Sequence, residues 1–182
     1  DPTHGTVLLD GVPLDRIPLA RLRSAMGVVP QDAFVFSSTI ADNIAFGLPA
    51  GGSRNGQIEE AARRARLHET IAEFPDGYDT RLGERGINLS GGQRQRATLA
   101  RAIVGDPAIL ILDDTLSAVD TRTERAILAG LRRVLADRTA FIISHRVTAV
   151  MNADLILVLD QGRIVERGSH ADLIREGGLY ST

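Results

Sequence analysis

The sequence contains no Lys, no Cys and no Trp in 182 residues. All 21 basic side chains are therefore Arg. Without Lys there is no Schiff-base lysine and no lysine general base. There is also no phosphate-cradling lysine of the G-x-x-x-x-G-K-[ST] pattern. Without Cys there is no disulfide, no thiolate metal site and no thiol nucleophile, a composition that fits a reducing compartment. Aromatic residues make up only 4% of the chain against 43% hydrophobic residues, so the core is built from aliphatic side chains. No apolar run approaches the roughly 18 residues of a membrane span, and the N-terminus lacks a signal-peptide pattern. The Arg residues are offset by 23 Asp plus Glu, for a net charge of -2, which argues against a broad nucleic-acid-binding face. The length suits one domain, or a core with a small lobe. The chain opens on Asp1-Pro2-Thr3-His4-Gly5 with no initiator Met, which reads as the interior of a longer chain.

What is present alternates between turn signals and apolar runs. Thr6 to Leu9, Asp10-Gly11 and Val12 to Leu14 read as a hairpin. A short helix is expected over Leu19 to Ala25, then a strand at Gly27 to Val29 that Pro30-Gln31 ends. Thr39 can cap a helix running to Phe46. Residues 47–56 hold four Gly, one Pro, a Ser and an Asn, the composition of a loop between lobes. Residues 57–74 read as one helix, with Glu59 and Glu60 early and Arg63, Arg64 and Arg66 later, as the helix dipole prefers. A solvated face explains this charge run.

From residue 90 the pattern becomes that of a parallel α/β sheet. Ser90 precedes Gly91-Gly92 and a helical run from Gln93 to Val104, which Gly105 can cap and Asp106-Pro107 stops. Ala108 to Leu112 is a wholly apolar strand. A helix is expected from about Arg122 to Leu135, with capping-box spacing between Thr121 and Glu124. Thr139 to Ile143 and Leu155 to Leu159 read as two further buried strands. Continuous apolar strands alternating with helices imply a parallel sheet covered on both faces. A hairpin around Gln161-Gly162 and a short helix over Ala171 to Arg175 close the chain.

Ligands of an open parallel sheet sit beyond the carboxyl ends of its strands. That rule selects Asp113 and Asp114, Ser144 and His145, and Gln31. Each also has a plain structural explanation, since a strand-end Asp often caps a helix and a lone His is often a surface hydrogen-bonding residue. Leu89-Ser90-Gly91-Gly92-Gln93 is a different device. It sets a hydroxyl, two residues without side chains and an amide at a helix N-terminus, where free N–H groups and the dipole favour an anion. An ordinary Ser N-cap followed by glycines is the competing explanation.

Taken together, these segments resemble the ATP-binding cassette (ABC) family. Leu89 to Gln93 is similar to its signature motif, continued by Arg94-Gln95-Arg96-Ala97-Thr98-Leu99-Ala100-Arg101-Ala102. Ile109 to Asp113 resembles the Walker B strand and Ser117-Ala118-Val119-Asp120 the D-loop. Ser144-His145-Arg146 resembles the switch-histidine loop and Pro30-Gln31-Asp32 the Q-loop. The motifs stand in the family's order and spacing over nearly the whole chain. Gly83-Glu84-Arg85-Gly86, Phe36 to Ile44 and Asp76 to Thr80 look like exporter sequence.

The resemblance implies an α/β fold of the P-loop NTPase (RecA-like) type, a parallel sheet core with short antiparallel hairpins. Residues 38–90 form its helical subdomain, and the Walker A strand, loop and helix lie upstream of Asp1. It implies an ATP-binding and ATP-hydrolysing domain with ATP and Mg2+ as cofactors, at the cytoplasmic face of a membrane. Its partners would be a transmembrane domain and a second nucleotide-binding domain, arranged head to tail, with no nucleic acid. It further implies that Asp113 and Gln31 hold Mg2+, and that His145 contacts the γ-phosphate. Leu89, Ser90, Gly91, Gly92 and Gln93 would contact ATP held mainly by the opposite subunit, with Ser117 and Asp120 at the dimer interface.

Two departures qualify that picture. The P-loop lysine is missing, so the 182 residues alone are expected to bind ATP poorly and to be inactive. Asp114 occupies the position where the family usually has Glu as the water-polarising carboxylate. This resembles the degenerate site of heterodimeric exporters, so a non-hydrolytic regulatory partner is the alternative. A soluble cassette in DNA repair or translation is a third possibility, against which the exporter-like Gly83 to Gly86 segment argues.

Overall fold

A computed structural model describes residues 2–48, 56–83, 88–115 and 138–182, together with Ile127 and Leu135. The chain divides into two units, Asp1–Phe141 and Ile142–Thr182.

The first unit begins with the expected hairpin, β1 (Leu8–Leu9) and β2 (Val12–Pro13), paired antiparallel. Asp10 and Gly11 both take positive φ, 49° and 78°, the geometry of the primed turn that matches strand twist. Helix α1 (Leu19–Ala25) runs directly into strand β3 (Met26–Val29). Helix α2 (Ile40–Ala45) starts where Thr39 Oγ1 accepts the Asp42 N–H at 3.0 Å.

The single helix expected over 57–74 is two helices, α3 (Gln57–Arg64) and α4 (His68–Ala72). Arg66 is left-handed, with φ 56°. Leu67 N–H donates to the Ala62 carbonyl at 2.8 Å and Arg66 N–H to the Arg63 carbonyl at 3.0 Å. That pair of bonds is a Schellman motif, which most often uses Gly at the left-handed position. Here the turn delivers Leu67 and Ile71 into the core, both essentially fully buried. The burial of two aliphatic side chains offsets the strain at a residue with a Cβ. The Glu59–Arg63 and Glu60–Arg64 pairs, each at 2.9 Å and half exposed, add only a few tenths of a kcal/mol.

Helix α5 (Gly91–Ile103) leads to strand β4 (Ile109–Asp113), which pairs parallel with β3 from Met26↔Ile109 to Val29↔Leu112. Strand β5 (Thr139–Ile143) is next in the sheet, giving the order β3-β4-β5. One face of this sheet packs on α5. A Cβ on Gly27 would run into the Ala102 carbonyl oxygen and the Pro107 ring, so only glycine lets β3 approach the helix backbone this closely. Val29, Leu110 and Leu112 are buried there with Leu99, Ala100 and Ile103.

Two details differ from the sequence expectation, and a third expectation is not covered by the described residues. The left-handed residue ending α5 is Asp106 (φ 50°), not Gly105. Asp tolerates that conformation, and its carboxylate is held by Arg138 at 3.0 Å while Arg138 also donates to the Pro107 carbonyl at 2.7 Å. Val28 remains 50% exposed and Phe141 56%, so β5 is not the buried strand its apolar run implies. The helix expected over 122–135, with Thr121 and Glu124, lies outside the described residues, apart from a helical, fully buried Ile127 and a helical Leu135.

The second unit contains helix α6 (Val147–Val150), an antiparallel ribbon of β6 (Ile156–Asp160) and β7 (Arg163–Gly168), and helix α7 (His170–Glu176). The third apolar strand therefore pairs with its own hairpin neighbour. Gln161 (φ 48°) and Gly162 (φ 75°) form a primed turn, so the returning strand is available immediately and the local pairing forms. Ile156 is buried, whereas Leu159 is 68% exposed. Ser169 caps α7 in a reciprocal capping box with Asp172, and Gly177 ends the helix at φ 70°.

Candidate functional site

The parallel register fixes the first group of candidate residues. Val29 lies opposite Leu112 as the two strands end, so Pro30-Gln31 and Asp113-Asp114 leave the sheet at the same rim. Asp113 is the last residue of β4 and half-buried, and Gln31 is exposed. Asp114 is half-buried and left-handed, φ 41°, a conformation Asp adopts more readily than most residues but still at an energetic cost. The donors at this rim are carboxylate and amide oxygens, the chemistry of a hard cation that keeps much of its water shell. Among the described residues no cluster of three or more His, Asp or Glu forms a closed metal cage.

The second group is the N-terminus of α5. Ser90 N–H donates to Gln93 Oε1 at 2.8 Å, and Gln93 N–H donates to Ser90 Oγ at 3.2 Å. The Gln93 amide is thus spent on the cap. Ser90 is exposed and keeps its own O–H as a donor. The N–H groups of Gly91 and Gly92 fall in the first turn, where a helix supplies no acceptors, and neither residue carries a side chain of its own. Leu89 is buried, and its carbonyl accepts Arg94 Nη1 at 2.8 Å, which fixes the angle of entry. A helix of 13 residues adds its dipole at this end. This helix end has the chemistry that favours an anion. It lies about 18 Å along the helix axis from the Ala102 contact with β3, from the rise per residue. The two groups are separate features of one unit.

The third group belongs to the second unit. His145 is exposed and follows β5 by two residues. Ser144 Oγ accepts the Arg146 N–H at 3.1 Å, a turn that shapes the loop before α6. Ser117, Asp120 and Glu84-Arg85-Gly86 lie outside the described residues. The two other exporter-like stretches meet. Ile40 N–H donates to the Thr80 carbonyl at 3.0 Å and Leu82 N–H to the Ser38 carbonyl at 2.9 Å.

A family model described as "ABC transporter" matches residues 1–117. The chain belongs to the ABC transporter family. It is 46% identical over 181 residues to the "ATM1-type heavy metal exporter" of Novosphingobium aromaticivorans, covering 100% of this chain and 29% of that protein. It is 48% identical to the human "ATP-binding cassette sub-family B member 6", again over 100% of this chain but 21% of the relative. A solved structure, "Structure of a bacterial Atm1-family ABC exporter with ATP bound", superposes with a TM-score of 0.92 at 48% identity. It too is matched over 100% of this chain and 32% of its own. The chain therefore spans about a fifth to a third of the length of the proteins it matches. Its α/β fold with a parallel sheet is that of the P-loop NTPases.

This ABC transporter segment also contains a polar node that the sequence did not single out. Asn43 on α2 is 1% exposed and carries a full set of partners. Its Nδ2 donates to the carbonyls of Phe36 (3.0 Å) and Thr39 (2.9 Å), and its Oδ1 accepts the Phe36 N–H (2.8 Å). Arg101 on α5 reaches the same place. Its Nη2 donates to Asn43 Oδ1 and its Nε to the Asn43 carbonyl, both at 2.8 Å, and its Nη1 donates to the Phe34 carbonyl at 2.9 Å. The signal for this node was present only as an Arg in an otherwise apolar and small stretch of α5, Ala97 to Ile103.

Proposed function

We propose that this chain is part of the ATP-hydrolysing domain that powers an exporter at the cytoplasmic face of a membrane. The observation that carries this reading is the pairing of two features in one unit. A strand rim bears Gln31, Asp113 and Asp114, and a separate helix end bears the first-turn N–H groups of Gly91 and Gly92 behind an exposed Ser90. Within it, Asp113 holds Mg2+ through water with help from the Gln31 amide, and Asp114 is the carboxylate facing the attacking water. His145 contacts the γ-phosphate and aligns that water. Mg2+ bound with ATP supplies neutralisation of the phosphate charge. Positioning and charge stabilisation are most of what phosphoryl transfer needs.

Ser90, Gly91 and Gly92 act on a nucleotide held mainly by the opposite subunit of a head-to-tail dimer, with Ser117 and Asp120 at the interface. The distance of the Ser90 end from the sheet along α5 favours this division between two subunits. Leu89 and Gln93 set the angle and cap of that helix end. Residues 38–90 form the helical subdomain, and a transmembrane domain is the mechanical partner. The sequence has no Lys, so the β/γ-phosphate lysine of the family is not among these residues. The 182 residues alone are therefore proposed to be inactive.

A second reading rests on Asp114. Its short side chain and left-handed backbone favour a slow or non-hydrolytic site whose Ser90 end serves a competent partner. The test of the main reading uses the purified full-length parent with MgATP. His145→Ala is expected to lower turnover on the order of 100-fold, the range for losing the positioning of a reacting group. Unchanged turnover in that variant overturns the reading.

A further inference from the structure

The Arg101 node ties α5 to the segment that follows Gln31, beside the packing of α5 on β3. Arg101 lies in the last turns of α5, eleven residues after Ser90. Its guanidinium bonds the Phe34 carbonyl, the Asn43 carbonyl and the Asn43 side chain. Asn43 in turn grips the backbone of Phe36 from both its N–H and its carbonyl. The same guanidinium stacks 4.8 Å from the Phe36 ring centroid. Phe36 packs edge to face on Phe34 at 5.1 Å and against Phe46 at 4.7 Å. Close approach is built in, because a Cβ on Gly47 would run into the Arg101 carbonyl. The segment held in this way leads back to Gln31 within three residues of Phe34. Burial lowers the pKa of Arg101, yet an Arg remains charged throughout the physiological range.

A guanidinium that satisfies three acceptors and covers an aromatic ring is a directional clamp, and charge-assisted bonds of this kind are among the stronger ones. Lys supplies the charge without the planar fork. A rigid helix with an anion site at one end and this clamp at the other moves the clamp whenever the anion end moves.

We propose that Arg101 is a positioning residue that couples occupancy of the Ser90 end of α5 to the conformation of the segment from Gln31 to Phe36. This inference rests on the ATP-dependent reading of the Ser90 end. The test measures amide hydrogen exchange in the full-length parent, with and without MgATP. In the wild type, peptides covering 89–93 and 31–36 both gain protection. In Arg101→Lys the 89–93 gain persists, whereas the 31–36 gain falls at least about fivefold. A side chain needed only for stability would leave the MgATP-induced gain in 31–36 intact, even if the melting temperature fell. An undiminished 31–36 gain in the variant therefore overturns the proposal. If Arg101→Lys fails to fold, Asn43→Asp serves instead. It keeps an acceptor for Arg101 but removes the two Nδ2 bonds, and the same selective loss is expected. If the wild type gains no protection at 89–93, the ATP-dependent reading itself fails, and this inference with it.

Discussion

Asp114→Glu is expected to raise ATP turnover of the full-length assembly, by up to about 100-fold. Reach sets this expectation. Asp114 follows directly on the last residue of β4, so the sheet fixes where its Cα lies. Its backbone is held at φ 41° rather than in the extended conformation that would carry the side chain straight off the strand. Asp is shorter than Glu by one methylene, about 1.5 Å. A misplacement of roughly 1 Å in a catalytic group can lower a rate about 100-fold. On the second reading, extending the carboxylate by that length would bring it within reach of the attacking water. The measurement is steady-state ATPase activity of the wild type beside Asp114→Glu and Asp114→Asn. If Asp114→Glu gives no gain and Asp114→Asn abolishes all turnover, Asp114 is a working base at its present length, and the second, non-hydrolytic reading fails.

Ser90→Arg is expected to abolish ATP-dependent association of the intact nucleotide-binding domain and to lower turnover at least about 100-fold, since it removes a positioned donor from developing phosphate charge. The residue is exposed, so the larger side chain finds room in the isolated domain but occupies the space an incoming phosphate needs. Loss of the cap itself costs about 1 kcal/mol, too little to unfold a domain with an ordinary stability margin. Ser90→Thr is the control. It keeps a capping hydroxyl for the Gln93 N–H and is expected to retain most of the activity.

The sequence and the structure agree wherever local chemistry decides. Thr39 and Ser90 cap helices as expected from their side-chain oxygens, and the Asp10-Gly11 and Gln161-Gly162 turns form the two hairpins. The end of β4 at Asp113 and the exit of β3 at Pro30 follow from an apolar run and a missing N–H. What was not legible depends on tertiary context. The Arg66 turn breaks the 57–74 helix because the burial of Leu67 and Ile71 outweighs a left-handed Arg, and nothing local signals that. Apolar runs identified β5 and β6 as strands but not their neighbours. Phe141 and Leu159 are exposed, because burial depends on what packs above a strand rather than on the strand. The Arg101–Asn43 node was invisible for the same reason, since its partners are 58 residues apart in the chain.

The most direct measurement is the association state of the intact nucleotide-binding domain of the full-length parent, with ATP supplied as a non-hydrolysable analogue. Light scattering would read the mass with and without ATP. The account predicts a monomer without ATP and a dimer with it, and no dimer when Ser90→Arg is added. An ATP-dependent dimer that persists in Ser90→Arg, or no ATP-dependent dimer at all, would contradict the claim that the Ser90 end of α5 closes on a nucleotide held by the opposite subunit.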